Sequence, residues 1–132
     1  MERCAMNTYI AATADVFGDA RVCDNAQVLE YARVYDDAIV SGLAVIRGNA
    51  VVFENAKIGG YAQVDGRALV SGNAIVGDKA EISGEVNVFG ETYIGDDVLV
   101  TNSADVCDSF LEGDVNISKG WVKAVHWWGD VP

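Results

Sequence analysis

His126 is the only histidine of the sequence, and so the only side chain whose ordinary pKa suits general-base work on a hydroxyl or an amine near neutral pH. Nothing in the sequence marks a partner for it. Carboxylates are plentiful, 20 against 9 lysines and arginines. Most of them stand beside Gly, Asn or another acid, as in Gly18-Asp19, Asp24-Asn25 and Asp36-Asp37, where solvated turn residues are expected. The three cysteines, Cys4, Cys23 and Cys107, have no metal-like spacing. Their odd number reads as small thiols in a reducing compartment and not as a disulfide framework. No phosphate loop, Ser-His-Asp set or metal-ligand cluster is visible, so neither a metal nor a cofactor is expected.

The elements that must position these groups come from a repeat of six residues. Ala14, Ala20, Ala26, Ala32, Ala38 and Ala44 begin a ladder that runs unbroken through Ala80. Val86, Thr92, Val98 and Ala104 carry its register onward. Two residues after each stands a β-branched aliphatic, beginning Ile10, Val16, Val22 and ending Ile94, Val100, Val106. A period of six fits neither a helix face nor a long alternating strand; it fits a short strand followed by a corner. Within Ala14-Asp15-Val16-Phe17, alternation points Ala14 and Val16 inward and Asp15 and Phe17 outward. Gly18-Asp19 then makes the bend, and Gly48-Asn49 and Gly72-Asn73 are equivalent corners.

Three such units close a triangular coil of about 18 residues. Phe17, Tyr35, Phe53, Ser71, Phe89 and Cys107 are spaced by eighteen and share an aromatic run that neighbouring offsets lack. Residues 10–106 then give five to six coils, about 25–30 Å long at roughly 4.8 Å per coil. The expected organisation is one all-β domain over 1–132: an N-terminal cap at 1–8, coils over 9–109, and a C-terminal cap over 110–132. The repeat phase is expected to reach Phe110 and then fail, with Glu112 at an inward position and Val115 and Ile117 one residue early. Trp121, Trp127 and Trp128 lie in that tail, against none in the repeats, and are read as covering the open end of the rod.

These residues resemble the hexapeptide-repeat superfamily over about three quarters of the chain. The resemblance implies a left-handed parallel β-helix, the fold of many trimeric acyltransferases that use coenzyme A thioesters. It makes His126 the candidate catalytic base of a small acyltransferase. No loop interrupts the repeats to build the acyl-donor pocket such enzymes use, and the zinc chemistry of some relatives needs three histidines. One departure concerns the position after the aliphatic, usually small or acidic in the family and here Phe17, Leu29, Tyr35, Arg47, Phe53 and Phe89.

The outside of the rod suggests binding instead. Tyr35, Val51, Phe53, Leu69 and Phe89 form an outward apolar strip on one face, the expected subunit interface. A small column on the next face, Cys23, Ser41, Gly59, Gly77 and Gly95, would accept it as a groove, with a trimer as the favoured closure. The edge between those faces carries Asp19, Asp36, Asp37, Glu54, Glu91 and Asp108. Six charges over about 24 Å approach the roughly 3.4 Å charge spacing of one DNA strand. With a net charge of −11, the chain is not expected to bind nucleic acid or anionic membrane. A basic protein is the partner such an edge fits, as in DNA-mimic inhibitors. The expected function is a non-catalytic, self-associating acidic scaffold. Its expected location is cytoplasmic, since the N-terminus lacks a signal-peptide layout and no long apolar run occurs.

Overall fold

The computed structural model describes residues 8–123, together with the main chain of the short strands Glu2–Arg3 and His126–Trp127. It is an all-β parallel solenoid of about six turns, and no helix occurs among the described residues. The strands pair in parallel with the one eighteen residues on: Asp15 with Arg33, Arg33 with Val51, Val51 with Leu69 and Leu69 with Asn87. The triangular coil read from the sequence is therefore present.

Burial follows the six-residue ladder. Ala32, Val34, Ala50, Val52, Ala68 and Val70 have no exposed surface, whereas Arg33, Gln63 and Leu69, which alternate with such positions, are exposed. Burying one valine side chain fully stabilises by about 1.5–3 kcal/mol, and one such residue in every six dominates the energetics of the rod. Alanine sits at the end of the corners from Ala14 through Ala80, where the coil turns and leaves little room, and Val86, Thr92 and Val98 take the same buried register in the later coils.

From Gly18 onward each corner turns on one residue in the left-handed region: Asp36 (φ 58°), Glu54 (φ 58°) and Gly72 (φ 69°) on one edge, for example. Glycine is sterically required at some of them. A Cβ on Gly66 would lie 2.5 Å from the main-chain nitrogen of Gly84 in the next coil.

The C-terminal coils differ from the expected phase. Leu111, not Glu112, is the buried partner of Ile94, and Phe110 lies outward against Tyr93 instead of inward. The corner Asp108-Ser109 is one residue shorter than Gly90-Glu91-Thr92, so pairing falls to seventeen. Glu112 is consequently half-buried rather than inward, while Val115 and Ile117 are buried one residue early, as expected. A second residue is lost at the irregularity between Val100 and Ser103, and Asp105 pairs with Trp121 at a spacing of sixteen. Coil-like parallel pairing thus continues through Asn116–Lys123, and His126 pairs with Phe110.

The cysteines divide. Cys107 is a buried free thiol, but Cys23 is disulfide-bonded, which corrects the expectation of reduced thiols throughout. Spacing along a sequence does not show which residues the stacking of coils brings together.

Candidate functional site

The first face is built on Asp15–Val16, Arg33–Val34, Val51–Val52, Leu69–Val70 and Asn87–Phe89. It then continues through the long strands Leu99–Cys107 and Asn116–Lys123. Two outward columns cross it. The first runs Asp15, Arg33, Val51, Leu69, Asn87, Asp105 and Trp121. The second is the aromatic column, in which Phe17 stacks on Tyr35 at 4.8 Å and Tyr35 on Phe53 at 5.3 Å, with planes 6° and 13° apart. Such stacking half-buries Tyr35 and Phe53 and gives the column a role within the rod itself. Ser71 then interrupts it, and Phe89 meets the edge of Trp121 at 5.9 Å.

The structure brings the five strip residues together on this one face. They are not equivalent. Leu69 is 38% exposed and outside the ladder, Val51 is half-buried, and Tyr35 and Phe53 spend part of their surface on each other. Trp121 is 60% exposed on the same face, in the register of Asp105. Eighteen-residue counting misses it, because two residues have been lost from the coils before it. Trp128 lies outside the described residues, as do the side chains of Trp127 and His126. His126 falls at the second-face register beyond Tyr93 and Phe110.

The six acids of the edge follow the corner between the first and second faces, and they divide by position. From Asn25 to Glu85 the second residue of the corner donates its N–H along the main-chain ladder, as Asp37 does to the Glu54 carbonyl at 2.9 Å. The first, left-handed residue finds no carbonyl. An acid at the first position of the preceding coil supplies the acceptor instead. The N–H of Glu54 donates to Asp36 at 3.2 Å, and that of Gly72 donates to Glu54 at 2.8 Å. Asp24, Glu30, Asp78 and Asp96 do the same at the other two edges, accepting from Gly42, Gly48, Asp96 and Gly113. Asp108 differs: it lies in the following coil and accepts from the second-position N–H of Glu91 at 3.1 Å. Part of the acid excess is therefore coil chemistry: a charged acceptor for a main-chain donor the ladder leaves over. Asp19 and Asp37 hold second positions, and their side chains make no hydrogen bond or ion pair among the described residues. Gly18, Asp19, Asp36, Asp37, Glu54 and Asn73 help line an open groove of about 520 Å³ along this edge.

A second open groove, of about 560 Å³, follows the edge between the second and third faces beside Tyr61, Asp78, Lys79, Asp96 and Asp97. The glycine column nearby is not uniformly open. Nothing would meet a Cβ on Gly77, but one on Gly95 would lie 2.6 Å from the Tyr93 hydroxyl, which lies across it. Partial burial first, and then the neighbouring Asp78 carboxylate, hold the Tyr93 phenol above the usual tyrosine range. No set of three metal-ligating side chains comes together among the described residues.

This arrangement is a uniform inner ladder with varied outer columns. It is a β-helix repeat protein. Residues 32–48 of the β-helix, close to one coil, match the family model described as YdcK beta solenoid repeat. No curated protein matches the sequence significantly. No helix among the described residues is long and apolar enough to cross a membrane.

Proposed function

We propose that this β-helix is a non-catalytic scaffold that associates with itself through the first face and displays acidic edges to a basic partner protein. The observation that carries the reading is Leu69, a leucine 38% exposed in the middle of a flat sheet face, with Val51 and Phe53 beside it and Trp121 further along the same column. Contiguous apolar surface of this kind marks an interface more often than scattered exposed leucines do. The coils are of the hexapeptide-repeat type, a reading supported by the Ala and Val ladders and by eighteen-residue pairing. That family also offers the acyltransferase alternative with His126 as base. The grooves along the described coils are open acidic edges, suited to a cationic protein surface more than to an acyl thioester.

Sedimentation velocity over a dilution series tests the self-association. The expected result is a species heavier than the 14.0 kDa chain that dissociates on dilution. A single 14.0 kDa species throughout would remove the proposal.

A further inference from the structure

Three arrangements could bury the first face against a second copy, and charge separates them. A ring with the first face of each copy on the second face of the next points the corner between those faces, the acidic edge, at the symmetry axis. Two antiparallel copies, face to face, lay the acidic edge of one beside that of the other. Only two parallel copies, related by a two-fold axis along the rods, place the acidic edge against the opposite corner.

That opposite corner is less acidic than the edge it would meet, carrying Arg67 with Glu30 and Glu85 against six acids. Arg67 stands there, linked to Glu85 only at 3.4 Å between side chains 73% and 70% exposed, a pair weak enough to exchange. Arg33 lies beside it in the outward column, exposed, with no side-chain hydrogen bond or ion pair among the described residues. Across the two-fold, Arg33 reaches toward Asp37 of the second copy.

Shape agrees with charge. The same operation sets the first outward column of one copy against the aromatic column of the other at equal height, so Leu69 faces Ser71. Phe53 and Phe89 flank Ser71 from coils on either side, about 9–10 Å apart, which leaves a notch for one further side chain. Both copies repeat at about 4.8 Å per coil and stay in step, whereas an extended peptide repeats at about 6.8 Å per two residues and does not.

We infer that the first face is a self-complementary interface in which two parallel copies insert Leu69 into each other's Ser71 notch and pair Arg33 with Asp37. The inference rests on the self-association proposed above and replaces the expected trimer with a two-fold dimer.

A charge-swap mixture tests it. Arg33→Glu and Asp37→Lys are purified separately; Asp37 is chosen because, unlike Asp36, its side chain accepts no main-chain hydrogen bond among the described residues. Each variant alone should associate roughly tenfold more weakly than wild type at low salt. An equimolar mixture should recover the wild-type affinity with a mass of twice 14.0 kDa. Wild type that assembles as three chains, or a mixture no tighter than its components, would overturn the two-fold arrangement and leave self-association standing. A monomeric wild type overturns both.

Discussion

Across the first face, adjacent coils present Val51 with Phe53 and Leu69 with Ser71. Across the third they present Val45 with Arg47 and Gln63 with Asp65. Behind both lie Ala and Val or Ile side chains with no exposed surface. On the third face Arg47 is bonded to Asp65 in the next coil at 3.2 Å. The first leaves Arg33 without such an answer and Leu69 in water. Since the inner ladder is the same, the difference cannot be a demand of folding. It shows that coil geometry sets the inside of a solenoid and leaves the outside free, so function is read from the outer residues that the coil does not need.

The largest effects should come from crossing the boundary between inside and outside. Ala50→Leu overpacks a coil interior and should lower stability by about 1–3 kcal/mol or more, seen as a lower midpoint in urea unfolding. Gln63→Leu, on the outside of the third face, should leave that midpoint nearly unchanged. Equal tolerance of both would erase the distinction.

Corner acids should show a smaller, position-dependent effect. Asp36→Ala removes the acceptor for the Glu54 N–H and places alanine at a left-handed φ, for a combined cost of roughly 1–2 kcal/mol. Asp36→Asn keeps an acceptor oxygen and a residue tolerant of that backbone, and should cost less than half as much. Asp37→Ala, at the second corner position, should fall within about 0.5 kcal/mol of wild type. Urea unfolding of the three variants ranks them, and a cost for Asp37→Ala matching that of Asp36→Ala would show that the carboxylate acceptors do not matter.

The smallest effect concerns Tyr93. Its phenol is held above the usual range, so the stability it contributes is complete below pH 10, the ordinary tyrosine value, and is lost as pH rises through the higher folded value. Ultraviolet titration should show Tyr93 ionising later in wild type than in Asp78→Asn.

The inside of the coil was fully legible in the sequence. A side chain buried in every coil is constrained in every coil, so Ala14 through Ala80 and Ile10 through Val106 repeat without exception. The last turns were less legible because counting by eighteen assumes corners of constant length. The shorter corner at Asp108-Ser109 moved Leu111 inward, and with the second lost residue it carried Trp121 onto the first face. The acidic edge was visible as a column, but the division between Asp36 and Asp37 was not. That division depends on which corner N–H lacks a carbonyl, a three-dimensional fact without a spacing of its own.

Light scattering of wild type, Leu69→Glu and Gln63→Glu side by side tests most directly the claim that the first face, and not the third, is an interface. A charge at Leu69 would be desolvated against a second copy without a partner, whereas one at Gln63 stays in water. A first-face interface gives a common mass above 14.0 kDa for wild type and Gln63→Glu, and a folded 14.0 kDa monomer with an unchanged β-sheet circular-dichroism spectrum for Leu69→Glu. A Leu69→Glu variant that keeps the wild-type mass, or a wild type that is itself a monomer, would contradict it.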